Sequence, residues 1–135
     1  MMAAFILVVS VALFLQFSID HCRSILATSR KFQLSERVRE ITGISGHDVL
    51  ADDFFRLLQL VRLCPEQGDD QSDIRVVGTY YSLMHVVSRA SHSAIPRLSE
   101  WAERERQSCS YFAAVALDRR ISNSRDMLMQ HFSDR

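Results

Sequence analysis

From Met2 to Ile19 the chain carries no charged side chain, and only Ser10, Gln16 and Ser18 are polar. Eighteen helical residues are about 27 Å long, close to the roughly 30 Å of a bilayer's hydrocarbon core. Between Phe5 and Leu15 nearly every residue is Ile, Leu, Val, Phe or Ala, so a helix here is apolar on every side. Such a helix needs lipid or a large core around it, and 135 residues cannot build a large core. The expectation is a transmembrane signal-anchor helix over residues 1–22.

Two rivals fit less well. A cleavable signal peptide asks for basic residues before the apolar run and a small-x-small site after it. Nothing basic precedes Phe5, and Phe17 to Cys22 offers no such site. A core helix of a soluble bundle would show one apolar face rather than all of them. The flanks set a direction: Arg23, Arg30, Lys31, Arg37 and Arg39 follow the apolar run and none precedes it. The positive-inside tendency then places the N-terminus outside and the rest in the cytoplasm, single-pass, at an inner membrane or its equivalent. Anionic lipid would attract the same basic stretch, at about 1 kcal/mol per residue near the surface.

The remainder reads as helix. Only 4 Gly and 2 Pro interrupt the sequence, too few turn signals for a many-stranded β fold. Ile19, Cys22, Ile25, Leu26 and Phe32 keep helical spacing, which extends the first helix amphipathically to about Lys31. Leu34, Val38 and Ile41 continue that spacing before Gly43-Ile44-Ser45-Gly46 breaks it. Residues 23–47 are thus an amphipathic extension and linker.

Asp48 is a plausible N-cap for the next helix, whose stripe is Leu50, Phe54, Leu57, Leu58 and Val61. Cys64-Pro65 and Gly68 end it. A third helix opens near Asp70 with Ile74, Val77, Tyr81, Met84 and Val87 inward. Pro96 suits the first turn of a fourth, carrying Leu98, Trp101, Ala102, Cys109, Phe112, Ala113, Ala116 and Leu117. Three amphipathic helices with short loops can close an antiparallel bundle over residues 48–135. The predicted fold is all-α: one N-terminal transmembrane helix, then a small cytoplasmic three-helix bundle.

Chemistry is sparsely marked. The 16 basic and 16 acidic residues balance, so the global basic excess of a nucleic-acid binder is missing. Cys22, Cys64 and Cys109 are odd in number and far apart, without C-x-x-C, and read as small packed hydrophobes. His85 and His92 lie seven apart, too far along one helix to share a metal ion unaided. No G-x-S-x-G elbow, glycine-rich phosphate loop or H-E-x-x-H is present.

Asp69, Asp70 and Asp73 spell D-D-x-x-D, which resembles the aspartate-rich motif of isoprenoid synthases. That resemblance implies carboxylates holding Mg²⁺ against a diphosphate. It covers five residues, without the second acidic motif or the chain length of that family. The competing reading is an acidic helix start that complements the dipole.

Interaction is better represented. Tyr80, Tyr81, Trp101, Tyr111 and Phe112 supply more large aromatics than one inner stripe per helix can hide. Arg119, Arg120 and Arg125 cluster toward the chain's end. Tyr, Trp and Arg are the side chains that most often anchor interfaces. Tyr80, Trp101, Tyr111, Arg119, Arg120 and Arg125 are therefore the candidate partner-binding residues, and Asp69, Asp70 and Asp73 the candidate metal ligands. The functional expectation is a non-enzymatic, membrane-anchored accessory or scaffold protein without a cofactor. Its partners would be membrane lipid and another membrane-associated protein rather than nucleic acid. Alternatives are a Mg²⁺-dependent lipid-diphosphate binder or enzyme, and a helical protein secreted after signal cleavage.

Overall fold

The computed structural model describes residues 2–29, 40, 51–64 and 70–133. Among the described residues there are four long α-helices and no strand: α1 (Met2–Ser29), α2 (Phe54–Leu63), α3 (Asp70–Ser91) and α4 (Pro96–Ser133). The all-α expectation is met, with one apolar helix at the N-terminal end. Of the extension and linker expected over residues 23–47, the stretches 30–39 and 41–47, with Leu34, Val38 and Gly43, lie outside the described residues, as does the expected N-cap Asp48.

Local chemistry accounts for the helix ends. A 3₁₀ turn, Ala51–Asp53, leads into α2, so the α-helix proper opens at Phe54. Asp53 is the residue before it, and its side chain makes no capping hydrogen bond. Leu63 ends α2 because Cys64 is extended, at φ −84° and ψ 150°, as a residue preceding proline prefers. The α3–α4 turn closes with the Ala94 and Ile95 amides donating to Ser91 O, at 3.2 and 2.8 Å. Pro96 then starts α4 where its missing N–H costs nothing.

Side-chain pairings give the directions. Tyr80 meets Glu105 and Ser88 meets Ser99, so α3 and α4 form an antiparallel hairpin. Arg106 reaches Asp52, just before α2, and Arg120 reaches Val61 near its end, so α2 runs parallel to α4. Together α2, α3 and α4 make an up-down-up bundle. Its core holds Phe54, Leu57 and Val61 from α2, Val77, Tyr80, Tyr81 and Met84 from α3, and Ala102, Cys109, Ala113 and Leu117 from α4. From Cys109 to Leu117 every α4 residue but Phe112 is buried. The small side chains Ser110, Ala113, Ala114 and Ala116 are what let neighbouring elements close around that stretch.

The first helix continues past residue 22, where the amphipathic extension was expected to begin, and its final third packs against the bundle. Cys22, Leu26 and Ser29 are buried there, with Ile19 and Ile25 packed partly against the core. Arg23 pairs with Glu105, while Ser24, Ile25, Thr28 and Ser29 share a cleft with Phe112, Val115, Ala116 and Arg119. Contacts therefore advance along both helices together, and α1 lies parallel to α4.

Candidate membrane anchor and interaction surfaces

The two parts of α1 have opposite surroundings. From Met2 to Phe17 every residue is exposed, including Phe5, Ile6, Leu7, Leu13, Phe14 and Phe17, the last at 72%. None of the most apolar eighteen-residue window is buried by the protein, and the helix is long and apolar enough to cross a membrane. The soluble-core rival requires these side chains to be covered by the bundle, and they are not.

A buried polar cluster seats the rest of α1. Glu105 of α4 accepts from Tyr80 Oη at 3.2 Å through one carboxylate oxygen. Its other oxygen takes Arg23 Nε at 3.2 Å and Nη2 at 3.1 Å. The carboxylate is thus satisfied from both α1 and α3, which a buried charge requires. Burial, then the Glu105 charge and the hydrogen bond to it, pushes the Tyr80 hydroxyl far above its ordinary range. Burial and the same carboxylate push the Cys109 thiol up to about 12. A thiol held protonated and enclosed is a packing element rather than a nucleophile.

The next residue, Arg106, organises a second cluster. It donates to Tyr81 Oη, Asp52 Oδ1 and Glu103 Oε2, each at 2.8 Å. Its guanidinium carbon lies 5.0 Å from the Tyr81 ring centroid, and that ring stacks on Phe54 at 4.2 Å. Burial alone would lower the Arg106 pKa, but Tyr81, Asp52 and Glu103 outweigh it and the net push is upward. This cation ties the entry of α2 to both hairpin helices.

Three of the residues predicted to bind a partner are placed inside the chain's own fold. Tyr80 is buried and spent on Glu105, and Tyr111 is buried. Arg120 is buried with Nη1 donating to Val61 O at 3.0 Å, which satisfies a carbonyl at the end of α2. The expectation failed because it assumed one inner stripe per helix, whereas the middle of α4 is enclosed nearly all round. Trp101 is half-buried beside the core, and Arg119 and Arg125 are exposed; these three are accessible to a partner.

Of the acidic triad, Asp69 and the Asp70 side chain lie outside the described residues. Asp73 is half-buried at the cleft of about 210 Å³ that also includes Ser24, Thr28 and Arg119. No group of three His, Cys, Asp or Glu able to hold a metal ion occurs among the described residues. His85 and His92 are exposed on α3 and on the turn after it. Cys22 and Cys109 are buried and free, and Cys64 is half-buried.

No known protein family, characterised protein or solved structure matches this chain.

Two surfaces escaped the sequence argument. The last turns of α4 run past the other helices among the described residues: Arg125 to Ser133 are all exposed, with Met127, Leu128, Met129 and Phe132 between 58 and 74%. Ile121, Leu128 and Phe132 fall on one side of the helix at spacings of seven and four. The signal was present, since these residues continue the apolar period of α4 beyond the described helices that cover its middle. The second surface is the α3–α4 turn, where Val86, Ile95 and Leu98 are exposed. Leu98 was read as the start of the inner stripe of the fourth helix, but it is exposed, and the short turn beside it has no period to read.

Proposed function

We propose that this chain is a single-pass, membrane-anchored accessory or scaffold protein, which fixes a small helical bundle at a membrane surface to engage a membrane-associated partner. The observation that carries this reading is the division of α1, bare and apolar from Met2 to Phe17 and docked into the bundle from Ile19 to Ser29. A continuous helix that leaves a packed domain with every side chain uncovered needs another solvent, and its length matches lipid. The basic residues Arg23, Arg30, Lys31, Arg37 and Arg39 favour the bundle on the cytoplasmic side of an inner or equivalent membrane. Because the last third of α1 is packed into the bundle, the bundle is held close to the bilayer rather than tethered at a distance.

The free end of α4 supports the partner half of the reading. Ser133 lies about 42 Å along the helix from the level of the Arg23–Glu105 pair, in the direction away from Met2. Its apolar face therefore points into the aqueous phase, where a groove in a partner protein can take an amphipathic helix. Arg125, exposed beside that face, suits an acidic rim on such a groove.

Carbonate washing of isolated membranes, followed by detergent extraction and co-purification, tests both parts. The chain is expected to stay in the pellet after washing. It is also expected to retain a defined partner that the Leu128→Glu, Phe132→Glu variant loses while remaining in the membrane. Release by carbonate would overturn the anchor, and identical partner recovery with the variant would overturn the docking role of α4.

A further inference from the structure

The register of α1 against α4 fixes where the α3–α4 turn lies relative to the apolar stretch. Arg23 and Glu105 are in contact, and the two helices run the same way. From Arg23 back to Ile19 is about 6 Å of helix, whereas from Glu105 back to Pro96 is about 13 Å. Helices crossing at about 50°, a common packing angle, would still give the longer arm a projection of about 9 Å on the shorter one's axis. The turn therefore reaches the level at which the chain becomes wholly apolar, or past it. Trp101, four residues before Glu105, lies on the same side of that pair as the apolar stretch.

The composition of the turn agrees with that depth. Ile95 is 54% exposed and Val86 62%, and Leu98 and Ala94 also face outward. Arg89 and Arg97 flank them, both exposed, and no acidic residue occurs from Val86 to Ser99. Apolar side chains at a tip with cations on its shoulders match a bilayer surface, where acyl chains lie beneath anionic headgroups. A half-buried tryptophan on the same side fits the aromatic belt found at a membrane interface.

We propose that the α3–α4 turn is a second lipid contact, inserting Ile95 into the interfacial layer while Arg89 and Arg97 bind headgroup phosphates. This rests on α1 being the span. With two contacts the bundle is held in one orientation, and the free end of α4 is directed away from the membrane instead of swinging beside it.

Trp101 is the chain's single tryptophan, so its fluorescence reports this contact directly. The full chain is reconstituted into phosphatidylcholine vesicles with and without phosphatidylglycerol, using lipids brominated at shallow or at deep acyl positions. Expected are a blue-shifted emission, stronger quenching by the shallow bromines, and a further gain in quenching with phosphatidylglycerol. An arginine near an anionic surface is worth about fivefold in occupancy, so Arg89→Gln with Arg97→Gln should lower docking roughly 25-fold and abolish the phosphatidylglycerol effect. Ile95→Asp should reduce shallow quenching in both vesicles while α1 stays resistant to carbonate. Unquenched Trp101 in a carbonate-resistant chain overturns this proposal alone, and so does quenching that ignores all three substitutions. Extraction of the chain by carbonate overturns the span and this proposal together.

Discussion

Within α1 the two portions share one backbone and nearly one composition of aliphatic residues, yet they are built for different solvents. From Met2 to Phe17 apolar side chains face every direction and none is covered. From Ile19 to Ser29 they form a stripe, with Cys22 and Leu26 buried and Asp20 and His21 turned outward. The difference teaches that total apolarity and apolar periodicity carry separate information. The first says that a segment avoids water, and the second says that another protein surface lies on one side of it.

Breaking the lipid-facing portion should have the largest effect. A charged residue at the centre of a transmembrane helix costs about 2.5–3.5 kcal/mol on insertion scales, so Leu7→Arg with Val11→Arg should remove the chain from the carbonate-resistant fraction almost completely. Neither side chain touches the bundle. Thermal unfolding of the purified double variant should therefore match the parent; a bundle that unfolds with it would show that the two portions are not independent.

The docked portion should respond in the opposite way. Leu26 is 2% exposed, and truncating a buried leucine costs about 2–5 kcal/mol because a cavity replaces its contacts. Leu26→Ala should shift the urea midpoint of the bundle downward while leaving membrane retention intact. An unchanged midpoint would mean that the last third of α1 rests on the bundle without stabilising it.

A smaller loss is expected at the polar seat. Glu105→Gln takes the charge from beneath Arg23 and leaves Tyr80 Oη with a weaker acceptor, a change of about 1–3 kcal/mol for a buried charge-assisted network. Arg23→Gln should cost under about 1 kcal/mol, since its side chain is half exposed and the surrounding water screens the pair. If the two substitutions cost the same in denaturant titrations, the seat is held by the α1–α4 ion pair and Tyr80 adds nothing.

How much of this was legible beforehand divides along the same line. The apolar run, the helix starts at Asp70 and Pro96 and the stops before Pro65 and after Ser91 all follow from local chemistry, and the sequence displays local chemistry. The docking of α1 does not, because Arg23 and Glu105 are 82 residues apart and nothing near either marks the other. The same is true of Arg106 with Asp52 and of Arg120 with Val61. Tyr80, Tyr111 and Arg120 were assigned to a partner because interface chemistry and core-clamping chemistry use the same side chains. Only the number of elements surrounding α4 separates the two, and that number is a property of the tertiary arrangement.

Alkaline pH gives the gentlest way to separate the portions, since it acts on the seat and spares the apolar run. Burial and the neighbouring Glu105 carboxylate raise the Cys109 thiol from 9.0 to about 12 and shift Tyr80 upward as well. A group whose pKa is higher in the folded state binds its proton more tightly there, so it contributes stability fully below the unfolded pKa and loses it as pH rises through the folded value. For Cys109 that window runs from about 9 to about 12. Bundle stability should therefore be flat with respect to these two groups between pH 7 and 8.5 and decline above about 9. Cys109→Ala should flatten the decline in part, leaving the share that belongs to Tyr80, while carbonate resistance of the anchor stays the same throughout. A stability profile that is unchanged to pH 11 would mean that water already reaches the cluster beneath Arg23, and that α1 is seated less tightly than its buried Cys22 and Leu26 indicate.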